Sequence, residues 1–83
     1  MSDVHDRIKE YILAEFLPGE PPELLTDTTP LVTGGILDSI ATMKLVAFLE
    51  EQFHVKLEAY EMSVDHLNTI TQIVQLVESK RKS

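Results

Sequence analysis

Residues 18 to 37 hold every proline of the chain (Pro18, Pro21, Pro22, Pro30) and every glycine (Gly19, Gly34, Gly35). Proline lacks a backbone donor and clashes with the preceding turn, and glycine loses the most freedom on ordering, so no regular element runs through this stretch. It must be a loop of about 20 residues. Loops of that length in small domains are functional or are packed by their own apolar side chains. Here Leu24, Leu25, Leu31, Val32, Ile36 and Leu37 are expected to do the packing.

Helical patterns flank the loop. Val4, Ile8, Tyr11, Ile12 and Phe16 recur at steps of three and four, which places them on one stripe of a helix. Ser2 or Asp3 is the expected cap, and Pro18-Gly19 stops the helix near Leu17. After Gly34-Gly35, residues Ile40, Met43, Leu45, Val46, Phe48, Leu49 and Phe53 give a second helix of about four turns with a broad apolar face. Asp38 suits its N-cap, because a carboxylate there accepts free first-turn N–H groups and complements the helix dipole.

His54 to Leu57 alternates briefly, but no second strand-like run exists to pair with it, so an extended connector is expected. Glu58 to Val64 permits a short helix. Asn68 or Thr69 then opens a final helix built on Ile70, Ile73, Val74 and Val77, with Lys80, Arg81 and Lys82 at its negative end. The expected fold is all-α: three main helices plus one short one, with the second and last main helices packed on the first.

A chain of 83 residues has room for one core, so residues 1–83 are expected to form one domain. Its 43% hydrophobic and 25% charged residues are those of a folding sequence. Cysteine is absent, which excludes disulfides, thiolate metal sites and a cysteine nucleophile. The longest apolar run, Leu45 to Leu49, is far short of a membrane span, and the first residues are polar, so a soluble, cytoplasmic, monomeric protein is expected. Fourteen acidic residues against seven basic ones give a net charge of −7, which repels nucleic acid and anionic membranes and favours basic protein partners.

The segment Gly34-Gly35-Ile36-Leu37-Asp38-Ser39-Ile40 puts a serine hydroxyl at a helix start, directly after an acidic cap and a flexible loop. Unpaired N–H groups and partial positive charge at that position tolerate a phosphate ester on the hydroxyl. Ser39 is therefore a candidate for phosphorylation or phosphopantetheinylation, although Asp-Ser before an apolar run is also an ordinary capping sequence.

The wider context resembles the acyl carrier protein family, including free-standing aminoacyl and peptidyl carriers of nonribosomal peptide and polyketide pathways. The likeness covers nearly the whole chain. It runs through an initial helix, a Pro/Gly loop with Thr29-Pro30-Leu31, then Gly35-Ile36-Leu37-Asp38-Ser39-Ile40, Leu45-Val46, Leu49-Glu50-Glu51-Gln52-Phe53 and Asn68-Thr69-Ile70.

The resemblance implies that the family's Asp-Ser-Leu motif falls on Asp38, Ser39 and Ile40, and that Ser39 carries 4′-phosphopantetheine from coenzyme A. A separate phosphopantetheinyl transferase, using Mg²⁺, would install the arm. Its thiol would hold an acyl or aminoacyl group as a thioester, which fits a polypeptide without cysteine. A loading enzyme (adenylating enzyme or acyltransferase) and downstream synthase or modifying enzymes are the further implied partners, and the chain itself would catalyse nothing.

Ile40 replaces the motif's leucine, a swap of similar volume expected to keep the same core contact. Ala41 and Lys44 stand where fatty acid carriers usually have acidic residues, although Glu50 and Glu51 keep the acidic helix end. That points to a specialised pathway rather than a fatty-acid-type carrier. The implied partner-facing surface is Ile36, Leu37, Ile40, Met43, Lys44, Glu50 and Glu51, for which core packing or a solvated face is the plain alternative. An acyl chain held in the core would lie among Val46, Phe48, Leu49, Ile70 and Val74.

Other chemistry finds little support. His5, His54 and His66 lack the spacing of a metal site and read as surface or boundary residues. Asp27-Thr28-Thr29-Pro30 is no calcium loop, and Gly35 to Ser39 is no hydrolase elbow. The competing class is an unmodified acidic helical adaptor that docks a basic partner through the second helix, with a small Ser39 hydrolase a distant third.

Overall fold

The computed structural model describes residues 3–81. Four helices are present, α1 (Asp3–Phe16), α2 (Ser39–Phe53), α3 (Val64–Leu67) and α4 (Ile70–Arg81). Two 3₁₀ turns, Pro22–Leu24 and Ala59–Met62, complete the regular structure, with no strand among the described residues. The expected all-α fold is therefore found, and among the described residues no helix is long and apolar enough to cross a membrane.

In α1, Val4, Ile8 and Ile12 repeat at intervals of four and are buried, while Asp3 and Asp6 sit in the first turn where negative charge suits the dipole. Asp3 is the first helical residue rather than a cap outside it; Ser2, the other candidate, lies outside the described residues. Tyr11, half-buried, stacks on Phe48 of α2 with ring centroids 3.9 Å apart and planes 13° apart. Its hydroxyl donates to the Lys44 carbonyl at 3.2 Å. In α4, Ile70, Ile73, Leu76 and Val77 are buried, and Lys80 and Arg81 fall in the last turn; Lys82 lies outside the described residues. The Thr69 hydroxyl accepts the Gln72 N–H at 3.1 Å, an N-cap contact.

Helices α2 and α4 pack on α1, and Ile8, Ile12, Leu45, Leu49, Ile70, Ile73 and Val77 close the core with no solvent contact that matters. Residues 54–57 form a connector with no regular element, but its first residue, His54, is left-handed (φ +55°) where extended backbone was expected, because it closes the C-terminus of α2. The short helix expected over residues 58–64 resolves into two pieces, the 3₁₀ turn and α3, because Ser63 adopts an extended conformation between them.

The long loop is tied to the bundle. Leu25, Leu31 and Leu37 are buried, and Val32 and Ile36 pack against them. Leu24 corrects the expectation, since it is 59% exposed on the 3₁₀ turn while Leu25 takes the inward position. Asn68 is the main polar anchor. Its carbonyl accepts the Leu31 N–H at 2.6 Å. Its side-chain Oδ1 accepts the N–H groups of Val32 at 2.9 Å and Thr33 at 3.0 Å. Further back, the Asp27 carbonyl accepts the Thr71 N–H at 3.2 Å.

Two glycines are required here. A Cβ on Gly34 would collide with the Pro30 carbonyl oxygen, and Gly35 has φ +84°, a left-handed conformation that side chains disfavour. The turn they allow lets the Leu37 N–H return to the Leu31 carbonyl at 2.8 Å, which aims the chain into α2.

Candidate functional site

Asp38 is extended and sits outside α2 as its N-cap, with Oδ1 accepting the Ala41 N–H at 2.7 Å. Its carbonyl starts the helix by accepting the Thr42 N–H at 2.8 Å, and the Thr42 hydroxyl joins it at 2.7 Å. The Asp38 carboxylate is thus committed to the helix. Ser39 follows as the first residue of α2, exposed, at the positive end of a 15-residue helix. A group with one negative charge on its hydroxyl would meet a favourable dipole and open solvent.

Beside Ser39 lies a groove of about 350 Å³ lined by Val32, Thr42, Met43, Val46 and Met62. Most of that lining is apolar, and it joins the loop, α2 and the Ala59–Met62 turn. Of the residues expected to hold an acyl chain, Val46 alone contributes to this groove; Leu49 and Ile70 are buried in the packed core.

The residues expected on a partner-facing surface divide. Ile40 and Met43 are 67% and 72% exposed, and Lys44 and Glu51 are exposed beside them. The core contact expected of Ile40 is not made, because position two of α2 projects away from α1 and α4. Leu37 is the second correction, since at 3% exposure it belongs to the core and cannot face a partner. Ile36 is half-buried. Glu50 turns its carboxylate to the connector, where Oε2 accepts the Leu57 N–H at 2.9 Å. Along α2 the first acidic residue is Glu50, so the exposed face near Ser39 is apolar with one cation.

Two features escaped the sequence reading. His5, expected to be an ordinary boundary residue, bonds Asp6 through Nδ1 and Asp27 through Nε2, clasping the loop to α1. The bonds to Asp27 and then Asp6 raise its pKa above the ordinary imidazole value. Glu61 is a nearly covered carboxylate whose Oε1 meets Lys80 Nζ at 2.6 Å and the Glu58 N–H at 2.8 Å. Both contacts, Lys80 first, lower its pKa. A Glu-x-x-Glu spacing, Glu58 to Glu61, was the only local sign of this reciprocal capping box. No group of acidic and histidine side chains suited to a metal occurs among the described residues.

A family model described as a phosphopantetheine attachment site matches residues 6–77, which takes in the capped serine and both helices flanking α2. The chain belongs to this family. Membership of this family implies a covalently attached 4′-phosphopantetheine. Carriers are served in general by a phosphopantetheinyl transferase and by loading enzymes. The exposed, dipole-facing hydroxyl and the adjoining groove fit such a group. The chain is also similar to D-alanyl carrier proteins of Streptococcus pyogenes serotype M5 (strain Manfredo), serotype M49 (strain NZ131) and serotype M1. Each is 44% identical over 48 residues. That alignment takes in 58% of this chain and 61% of each relative, so it spans about three-fifths of their length.

Proposed function

We propose that Ser39 is the attachment residue and that the protein, as one domain, carries an aminoacyl group between the enzymes that load and use it. The observation that carries this reading is the exposed hydroxyl at the first position of α2, just after the Asp38 cap and inside the family match. When bound, the group supplies a thiol that holds cargo as a thioester. This chain's own part would be to present the Ser39 oxygen to the pantetheine-side phosphorus of coenzyme A, whose pyrophosphate bond breaks as adenosine 3′,5′-bisphosphate leaves, to give up its proton to the transferase, and to stabilise the resulting phosphodiester charge with the α2 N-terminus.

An aminoacyl cargo is supported by the likeness to D-alanyl carriers. The exposed Lys44 supports it too, since a cation on that face suits enzymes other than those that read fatty acid carriers, whereas Ala41, expected beside it, is buried in the core and cannot face a partner. Nonribosomal peptide assembly is a pathway of that chemistry. A second reading, an acyl cargo of polyketide or fatty acid type, draws on the apolar lining of the groove beside Ser39. Coenzyme A, the donor of the arm, is a cytoplasmic metabolite, and the cytoplasm is the compartment we infer.

Co-expression with a broad-specificity phosphopantetheinyl transferase, followed by intact-mass measurement, tests the attachment. One arm should be gained by the wild type and none by Ser39→Ala, whose stability stays within about 0.5 kcal/mol because the position is exposed. A protein that only docks gains no mass. Incubating the charged-ready protein with adenylating enzymes for D-alanine and other small amino acids, and separately with acyltransferases, then reads the cargo. Loading by acyltransferases alone would replace the aminoacyl reading with the second one.

A further inference from the structure

The chain has two arginines, Arg7 and Arg81, and they line the same pocket. It is a cavity of about 200 Å³ at the end of α2 remote from Ser39, closed by Asp3, Gln52, Phe53 and His54. In a molecule of net charge −7, two arginines from opposite ends of the sequence border one pocket, which places positive charge there against the overall field. Their described partners hold them loosely. Arg7 Nη1 donates to Gln52 Oε1 at 3.4 Å, and Arg81 Nη1 lies 3.9 Å from Glu78 Oε1.

His54 adds an independent observation. It is the only non-glycine residue with positive φ among the described residues, at +55°, and it lines this pocket. A side chain in the left-handed region is strained, and glycine or asparagine is the usual occupant of a helix C-terminus that turns this way. The His54 side chain borders the pocket together with the two arginines. Guanidinium forks match the geometry of planar or tetrahedral oxyanions, which they bind through paired N–H donors.

We propose that Arg7, His54 and Arg81 form a binding site for a soluble oxyanion of the phosphate or carboxylate class. The net charge disfavours an anionic membrane as the source, so the ligand is a free or metabolite-borne group. Asp3, also on the lining, opposes the anion and keeps its affinity low. The site stands about 22 Å from Ser39 along α2, so occupation leaves the serine open. It does not depend on Ser39 being modified.

The test is an NMR titration of the full-length ¹⁵N-labelled protein with sodium phosphate, against sodium chloride at matched ionic strength. Saturable shifts confined to the Arg7, His54 and Arg81 region, with phosphate but not chloride, are expected. Arg7→Gln and Arg81→Gln should each weaken binding at least about fivefold. Arg7→Lys, which keeps the charge but not the fork, should fall between wild type and Arg7→Gln. Asp3→Asn should tighten binding two- to threefold or so.

Unchanged helix resonances elsewhere show that each variant folds. If the guanidiniums only offset the carbonyl ends of α2 and α4, phosphate and chloride will act alike and Asp3→Asn will change nothing. Either result overturns the proposal. Arm attachment at Ser39 should proceed in Arg7→Gln as in wild type, so failure of this site and failure of the attachment reading remain separate.

Discussion

The two long connections of the bundle are held in different ways. Residues 17–38 hold only single turns of local structure, such as the 3₁₀ turn and the Leu37-to-Leu31 bond, and they are fixed to the bundle by other elements. Three leucines sink into the core, Asn68 takes the N–H groups of Leu31, Val32 and Thr33, and His5 and Thr71 hold Asp27. Residues 54–69 combine a reciprocal Glu58–Glu61 capping box of their own with outside braces, a Leu57 N–H bonded to Glu50 of α2 and Lys80 of α4 reaching over to Glu61. The segment that delivers Ser39 takes its main polar anchors from distant residues, so its geometry depends on them. The other adds a reciprocal cap of its own.

Truncating a loop leucine should show the dependence most sharply. Leu31→Ala should cost about 2–5 kcal/mol in urea unfolding, a penalty as large as for a helix core residue, because its side chain is fully buried. Equality with an exposed loop site would erase the contrast. Next, Asn68→Ala should cost about 1–3 kcal/mol, since it strips the acceptor from two loop N–H groups. Hydrogen exchange should speed at residues 31–37 before it does over 54–62. Asp38→Ala should follow at about 1 kcal/mol for its lost cap.

Opposite pH dependences should separate the two connections further. His5 has a raised pKa in the fold, so its clasp on Asp27 contributes stability below the ordinary imidazole value and loses it as pH rises through the raised one. Comparing wild type with His5→Gln, the gap in stability should be present below the ordinary imidazole value and close as pH rises through the raised one. Glu61 has a lowered pKa, so its contribution is present above the ordinary carboxylate value and fades as pH falls through the lowered one. For Glu61→Gln the gap should therefore close on the acid side. Smallest of all, Leu24→Ala should stay within about 0.5 kcal/mol of wild type, because the side chain is exposed.

Much of this was legible in the residues. Spacing of three and four placed α1, α2 and α4, and Asp38 before an apolar run marked the cap that leaves Ser39 at the helix start. Loop detail was less so, for a physical reason. Without a repeating period, nothing in the sequence tells Leu24 from Leu25, and only the 3₁₀ turn decides which faces inward. Ile40 reads as a core residue because it replaces the motif's leucine at similar volume, yet at the second position of α2 it is 67% exposed. The His5–Asp27 clasp spans 22 residues of chain and has no local signature. Leu37 shows the converse error, a residue next to the site by number that the turn at Gly34-Gly35 carries inward.

The Tyr11–Phe48 stack gives the molecule a built-in optical reporter. With no tryptophan and two tyrosines, near-ultraviolet circular dichroism from tyrosine arises chiefly at Tyr11, whose ring is clamped between α1 and α2, while Tyr60 is 71% exposed and averages out. Separation of those two helices, by heat, denaturant or a partner enzyme, should therefore be visible in the unlabelled protein as a fading aromatic band.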